Sequence, residues 1–297
     1  MWTFGIVHVD IWYRIYGFMR TFSIGNCLLK SLMWTFGIGM EHKDVQKERS
    51  MFVVKQNDLI RKTKYDLSAQ EQKLLLYIIS KIKPEDDNLS GYEIDLGNLC
   101  EVCGIQKQAK TFRDFAGILK NLADNSFWAD FGIGWGLHRW LNSVYFPDTV
   151  GMTKEQLEHF VPKRAIVGFD PELKPFLLFL KNNYTSYQLV YVLAMKTKYA
   201  IRLYEILKSY LFIGEYQPSV PELRSLLQIV GYDMYSDFRK RVLNPAVEEI
   251  NRFTDIEVSA APIRVGKTID RIQFKIALKD YVSNEVSEAE RDSVLEG

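Results

Sequence analysis

One amphipathic segment, residues 234–252, constrains the fold of this chain more than any other stretch. At about 100° per residue, a helix gathers the apolar side chains of this segment into one half of its circumference, and that half must pack on a core. The apolar half contains Phe238, Val242, Leu243, Ala246, Val247 and Ile250. The opposite half carries Lys240, Arg241, Asn244 and Asn251, with Glu248 as its one acid, while Arg239 falls inside the apolar arc. The segment is therefore predicted to be a surface helix with a cationic, amide-bearing face.

Cationic and amide side chains on one helix face suit two environments. Lys and Arg pair with phosphate oxygens, and Arg and Asn bond to purine edges in the major groove of DNA. The alternative is a solvated charged face, which is the commoner explanation for an isolated helix. The neighbouring segments favour the first.

A helix, a turn, the basic helix and a hairpin follow one another in this region. Residues 219–230 form the predicted first helix, and Gly231 follows its end. Residues 255–261 and 271–278 alternate apolar and polar side chains, as strands do. Three basic residues lie near the tip of the hairpin: Arg264, Lys267 and Arg271. This order predicts a winged helix–turn–helix that reads DNA.

The first half of the chain repeats this order. Residues 95–102 and 108–122 are predicted helices, and residues 126–146 alternate as a hairpin. The polar face of the second helix carries Lys110, Arg113, Lys120 and Asn121. An apolar helix precedes each set, at residues 68–82 and at residues 196–212.

The repeated order predicts an α+β fold of tandem winged-helix domains with a pseudo-twofold duplication, and 297 residues suit two domains. The first domain is predicted at residues 51–165 and the second at residues 166–282, with both binding DNA. Residues 1–50 are predicted to be a leader and residues 283–297 an acidic tail. The join is expected across residues 160–184, where three prolines resist a continuous helix.

The apolar residues that follow this join predict one or two long helices over residues 184–212. Lys196, Lys198 and Arg202 are expected on the exposed side of these helices.

The leader differs in composition from the rest of the chain. Its hexapeptide Met-Trp-Thr-Phe-Gly-Ile occurs twice, at residues 1–6 and 33–38, which repeated DNA explains better than a packed repeat does. We therefore expect the native start at Met40 or Met51. The competing interpretation is a hydrophobic arm that binds a partner. Charges cut the apolar runs of residues 1–39 far below the roughly twenty residues of a membrane span.

The net charge of +1 does not exclude a polyanionic partner. From residue 280 onward, six acids stand against Arg291 alone, which leaves about +6 on residues 1–279. Three cysteines cannot form a disulfide framework, and a reducing cytoplasm is the expected location.

The sequence gives little evidence of metal binding, nucleotide binding or catalysis. Cys100 and Cys103 have the spacing of a zinc half-site, but no second pair and no paired histidines complete it, so no metal is expected. Gly266-Lys-Thr lacks the first glycine of a phosphate loop and joins two strands. Glu248 and Glu249 are adjacent and point about 100° apart on a helix. We expect no catalysis and no cofactor.

Three motifs, in this order, resemble the iteron-binding initiators of plasmid replication, the Rep family built from two winged helices. They are Asn57-Asp-Leu-Ile to Leu67-Ser-Ala-Gln-Glu-Gln-Lys-Leu, Lys198-Tyr-Ala-Ile-Arg-Leu-Tyr-Glu-Ile-Leu-Lys, and Phe238-Arg-Lys-Arg-Val-Leu-Asn-Pro-Ala-Val-Glu-Glu-Ile-Asn with Thr254-Asp-Ile. The resemblance covers residues 52 to 279 and leaves residues 1–50 without a counterpart.

The resemblance implies binding to direct repeats in a plasmid origin, local opening of the duplex, and recruitment of the host initiator and the replicative helicase. It also implies that monomers initiate, while dimers formed through the first domain repress the protein's own gene at an inverted repeat. Two other functions remain open. One is a transcriptional repressor without a role in initiation, and the other is a scaffold whose basic faces meet acidic protein partners.

Overall fold

A computed structural model describes residues 51–130 and 134–279 of the chain. The predicted leader at residues 1–50, Gly132 and the predicted acidic tail at residues 283–297 lie outside the described residues.

The described chain contains both helices and strands. The α-helices are α1 (Asn57–Arg61), α2 (Ala69–Ile79), α3 (Leu96–Cys103), α4 (Ala109–Asp124), α5 (Lys154–Glu158), α6 (Lys174–Leu177), α7 (Leu189–Ala194), α8 (Lys198–Ser209), α9 (Val220–Leu226), α10 (Tyr235–Phe238) and α11 (Asn244–Phe253). The strands are β1 (Phe52–Gln56), β2 (Tyr92–Asp95), β3 (Ser126–Asp130), β4 (Trp135–Arg139), β5 (Leu141–Tyr145), β6 (Arg164–Phe169), β7 (Tyr184–Gln188), β8 (Glu215–Tyr216), β9 (Ile256–Val265) and β10 (Thr268–Leu278). Short 3₁₀ turns lie at Pro147–Thr149 and Pro171–Leu173.

Capping boxes fix the starts of three helices, α2, α5 and α9. The Ser68 hydroxyl accepts from the N–H of Glu71, and the Glu71 carboxylate accepts from the N–H of Ser68, the pairing that a serine followed three residues later by a glutamate predicts. Ser219 and Glu222 make the same reciprocal pair at the start of α9. Each box satisfies backbone donors that a helix start otherwise leaves unpaired.

The C-terminal half has the order helix, strand, helix, helix and two-stranded wing that defines a winged helix. After α8, the short strand β8 pairs with β10, and β10 pairs with β9, which gives a three-stranded antiparallel sheet. The inner face of this sheet is apolar, with Val258 opposite Ile276 in the ladder. Helix α11 packs against β9 through its buried side chains.

The first half has the same order, from α2 through β2, α3 and α4 to the β3–β4 hairpin. Its sheet differs, because β2 and β5 both pair with β6, and β1 pairs with β7 far along the chain. Strands β6 and β7, near the predicted join, therefore complete the sheets of the first half. The predicted boundary between residues 165 and 166 falls inside β6. Residues 184–188, predicted as helix, form strand β7.

Helix α8 lies between the two halves and packs on both. On the side of the first half, Lys198 near its start pairs with Asp66 at 2.6 Å, and Arg61 bonds to the hydroxyl of Ser209 at its end at 2.9 Å. Only residues 195–197 separate it from α7 of the first half. The connection between the halves is thus a shared helix.

The other side of α8 packs against α11. Glu249 of α11 accepts hydrogen bonds from the N–H groups of Lys196 and Thr197, at 2.7 and 3.2 Å, just before α8 begins. An acid at this position also faces the positive end of the helix dipole. Farther along α8, the Tyr204 hydroxyl donates to Asp255 at 3.0 Å. Both ends of the packing are therefore fixed by polar contacts.

Arg202, predicted on the exposed side of this helix, is buried, so that prediction is wrong. Its guanidinium donates to the carbonyl oxygens of Ile60 at 2.7 Å and Thr63 at 2.8 Å, and to the Tyr65 hydroxyl at 3.3 Å. It also lies over the Tyr65 ring, 4.6 Å from the centroid. These partners from the first half replace the water that a buried cation loses.

Glu205, one turn further along α8, is fully buried and stands at the centre of this junction. It pairs with Lys55 and accepts hydrogen bonds from the hydroxyls of Tyr65 and Tyr187. Burial opposes ionisation of the carboxyl, but Lys55 and Arg202 outweigh it and hold the pKa of Glu205 below its usual range. Burial lowers the pKa of Lys55, against the attraction of Glu205.

Candidate DNA interface

A single long helix spans residues 235–253 and is built from α10, a π-helical turn at Arg239–Leu243, and α11. We call it the 235–253 helix. Its buried side chains are Phe238, Val242, Leu243, Ala246, Ile250 and Phe253. Its exposed cationic and amide side chains are Arg239, Lys240, Arg241, Asn244 and Arg252. The predicted division into an apolar and a cationic face is therefore present.

The π-turn has an identifiable cause in the sequence. Pro245 has no N–H, so the α-helical bond to the carbonyl of Arg241 cannot form. The N–H of Asn244 donates instead to the carbonyl of Arg239, five residues earlier. A turn of this kind holds one residue more than an α-turn. Arg239, which a regular helical wheel places in the apolar arc, is exposed on the surface.

The turn before this helix is held by one side chain. Arg224 of α9 donates to the carbonyl oxygens of three consecutive residues: Gly231 at 2.8 Å, Tyr232, and Asp233 at 3.2 Å. Gly231 and Tyr232 both have positive φ, at 81° and 55°, and the second value is unusual for a side chain with a Cβ. Arg224 therefore compensates a strained backbone at the entry to the 235–253 helix.

Asn251, predicted to contact DNA, is used inside the domain. Its amide N–H donates to the carbonyl of Val258 at 2.8 Å, and its amide oxygen accepts from the N–H of Val258 at 2.7 Å. The two bonds tie the 235–253 helix to strand β9. They occupy the donor and the acceptor that a bidentate contact with adenine would need.

The wing is formed by β9 and β10, which a two-residue turn at Gly266 and Lys267 connects. Gly266 has a φ of 60°, and the two-residue turns that suit a hairpin need positive φ at this position. Arg264 and Lys267 are exposed at or beside the tip. Arg271 lies farther down β10, where it donates to the carbonyl of Gln217 at 3.1 Å. The tip therefore presents two cations, and the third supports the base of the wing.

Helix α4 is the corresponding element of the first half. Phe115, Ile118, Leu119 and Leu122 are buried, and the four predicted site residues are exposed: Lys110, Arg113, Lys120 and Asn121. Two of the four have partners within the first half. Lys120 pairs with Asp124 at 2.6 Å, and the Asn121 amide donates to Glu71 at 3.3 Å. Lys110 and Arg113 near the start of α4 have no ion pair with any residue in the described ranges.

Sequence reasoning missed two exposed side chains of the 235–253 helix. Glu248 was identified only as the one acid of the cationic face and was given no role, and Arg252 was not singled out. Both line a surface groove between this helix and strand β9, together with Asn244, Asn251 and Ala260. Pro245 could have indicated them, because a proline inside a strong helical pattern predicts a change in helical phase and so in which side chains are exposed together.

The described ranges contain neither a cluster of metal-binding side chains nor a helix that could span a membrane. Cys100 is buried and Cys103 is half-buried on α3, and no group of three His, Cys, Asp or Glu side chains within residues 51–130 and 134–279 is placed to hold a metal. No helix in these ranges combines the length and the apolar character needed to cross a bilayer.

Comparison with known proteins agrees with this architecture. A family model described as the WH1 part of an initiator replication protein matches residues 52–208. A second, described as the WH2 part of an initiator Rep protein, matches residues 219–276.

Two solved structures also match. The crystal structure of SeMet derivatives of domains 2 and 3 of RctB is 12% identical, with a TM-score of 0.43, and the match covers 70% of this chain and 81% of that chain. Another crystal structure of RctB domains 2–3 is 11% identical, with a TM-score of 0.40, and the match covers 72% of this chain and 82% of that chain.

The two family models together span most of the described residues and confirm the predicted α+β fold with two winged-helix domains. The chain belongs to the initiator replication protein family, with a WH1 domain followed by a WH2 domain.

Proposed function

We propose that this protein initiates replication of a plasmid by binding direct repeats, or iterons, in the plasmid's origin. Bound copies would open the adjacent duplex and recruit the host initiator and the replicative helicase. The observation that carries the proposal is the exposed face of the 235–253 helix, where cationic side chains and Asn244 stand opposite the buried core of a winged helix. Membership of the initiator family supports a role in replication.

The 235–253 helix is the element proposed to enter the major groove of one half-site. Lys240, Arg241 and Asn244 would face base edges there, with Arg239 beside them. Arg264 and Lys267 at the wing tip would hold backbone phosphates, and Arg271 would support the wing.

Helix α4 is proposed to enter the groove of the neighbouring half-site. Lys110 and Arg113 are the side chains best placed to bind there, because Lys120 and Asn121 already have intramolecular partners. The shared helix α8 supports simultaneous binding, since it connects the two domains without a flexible linker.

Self-association completes the proposal. Monomers would initiate, and dimers formed through the first domain would repress the protein's own gene at an inverted repeat. Such a pairing gives one chain two activities that depend on its concentration, because dimerisation follows mass action.

Binding of the full chain to DNA flanking its own gene tests the proposal. Fluorescence anisotropy would compare duplexes carrying direct repeats of that DNA with scrambled duplexes, across a salt titration. Tight, salt-sensitive binding to the repeats, followed by single-strand-specific cleavage beside them in a supercoiled plasmid, is the expected result. Binding to a lone palindrome without opening would instead identify a transcriptional repressor. Absence of salt-sensitive DNA binding would favour a scaffold for acidic protein partners.

A further inference from the structure

The π-turn changes which side chains of the 235–253 helix share a face. Four exposed side chains follow one another at intervals of four residues: Lys240, Asn244, Glu248 and Arg252. In a regular α-helix each such interval adds about 40° of rotation, so the four would spread over roughly 120°. The extra residue in the π-turn sets back everything after it by about 100°, which brings all four within roughly 80°.

The buried side of the helix agrees with this change of phase. Its six buried side chains are Phe238, Val242, Leu243, Ala246, Ile250 and Phe253. A regular α-helix would spread them over roughly 140°, whereas the set-back places them within roughly 100°. The π-turn therefore lets one core contact hold the whole helix, and it aligns the four exposed residues on the opposite face.

Glu248 is the only acidic side chain among the four residues of this aligned face. Its carboxylate is exposed, and no residue in the described part of the chain forms an ion pair or hydrogen bond with it. It lies between Asn244 and Arg252 in the groove beside β9. Its neighbour Glu249, by contrast, is bonded to the start of α8. A packing role therefore accounts for Glu249 and not for Glu248.

An unpaired carboxylate weakens attraction to phosphate, since like charges repel. It gains from DNA only where it meets a hydrogen-bond donor, and the donors in the major groove are the amino groups of cytosine and adenine. Asn and Gln bind both the N6 and N7 atoms of adenine, whereas a carboxylate accepts only from an amino group and suits cytosine N4. The chemistry of Glu248 therefore points to one base.

We infer that Glu248 reads a cytosine through its N4 amino group, at a base pair next to the one that Asn244 contacts. This inference rests on the proposed binding of the 235–253 helix in the major groove and adds a specificity-determining residue to it. Arg252, one turn farther along the aligned face, binds a phosphate beside that base pair.

Selection of bound sequences from a pool of random duplexes tests this assignment. The full chain, Glu248→Ala, Glu248→Gln and the control Glu257→Ala would each be used. Glu257 is an exposed acid of the same domain, and it points away from the helix because its neighbours Ile256 and Val258 on β9 are buried. The control removes the same charge from a face that does not meet the groove.

Wild type and Glu257→Ala should select the same site, with one cytosine preferred by about fivefold or more. Glu248→Ala should lose that preference to less than about twofold at this position alone, and bind unrelated duplexes more tightly. Glu248→Gln should exchange the cytosine for adenine, which a merely structural role would not produce. An unchanged selected site in both Glu248 variants would overturn the inference. Failure of wild type to select any site would instead overturn the proposed function.

Discussion

Asn244 and Lys267 differ in what each can contact on a duplex. Asn244 lies on the face of the 235–253 helix opposite the core, and Lys267 lies at the wing tip. Asn244→Ala should weaken binding to the preferred site by about 1–3 kcal/mol and relax sequence preference, because a bidentate base contact is lost. Binding isotherms on preferred and scrambled duplexes measure both effects. Equal losses on the two duplexes would contradict a base contact by Asn244.

Lys267→Ala should weaken binding to all duplexes alike. A phosphate contact carries no sequence information, and each lost contact lowers the slope of log K against log salt by about 1. The slope, obtained from anisotropy titrations at several salt concentrations, checks the assignment. If the variant matched wild type in both affinity and slope, the wing tip would not touch the backbone.

Three tyrosines at the junction make the fold sensitive to alkaline pH: Tyr65, Tyr187 and Tyr204. Burial raises the pKa of each hydroxyl, and the nearby acids Glu205 and Asp255 add to the rise. A folded pKa above the unfolded value of about 10 contributes stability that is complete below pH 10 and is lost as pH rises toward the folded value.

The alkaline unfolding midpoint, followed by circular dichroism and tyrosinate absorbance, should therefore rise in Tyr187→Phe, which removes one of these hydroxyls but keeps the ring. Tyr145→Phe is the control, since Tyr145 is 65% exposed. A midpoint in Tyr187→Phe equal to that of wild type would show that ionisation of this residue does not limit the fold.

At the scale of elements, the turn between α9 and the 235–253 helix depends on Arg224. Arg224→Met keeps the apolar stem but removes the donors to the carbonyls of Gly231, Tyr232 and Asp233. Amide exchange at residues 231–235 should accelerate, and stability should fall by about 1–2 kcal/mol. Arg264→Met, which changes the same charge at the wing, should leave exchange in the turn unchanged. Unaltered exchange in Arg224→Met would mean that the turn holds its conformation without the guanidinium.

Local sequence patterns predicted those features that depend on residues close together in the chain. The capping box at Ser68, the cap at Ser219, the order of helices and the wing around Gly266 are each set by residues a few positions apart. The family comparison confirms the two winged helices that this order predicts. The predicted DNA-contacting residues remain predictions, and exposure supports most of them.

The features that sequence reasoning missed depend on distant partners or on a change of geometry. Arg202 was expected in solvent because its buried partners at Ile60 and Thr63 lie about 140 positions earlier in the chain. Strand β7 was read as helix because its partner strand β1 is equally remote. The π-turn was missed because a helical wheel assumes a constant rotation per residue, which Pro245 interrupts.

At the scale of the whole molecule, α8 makes the two domains depend on each other. It supplies the first helix of the second winged helix, and it also carries Glu205 into the core of the first half. Two domains joined in this way should open together rather than separately, because neither keeps its core when α8 leaves. The relative placement of α4 and the 235–253 helix is then set by packing.

Glu205→Ala tests this dependence. The change leaves Lys55 and Arg202 buried without their acid, and breaking a buried pair in this way costs about 3–5 kcal/mol. The slowest-exchanging amides of α2 in the first domain and of α11 in the second should lose protection by the same factor, because both report one cooperative opening. Glu101→Ala, which breaks the exposed pair with Lys107, should change both by less than about 1 kcal/mol. Retained protection in α11 alongside lost protection in α2 would show that the second domain folds independently of the junction, and that its position relative to the first is not fixed by α8.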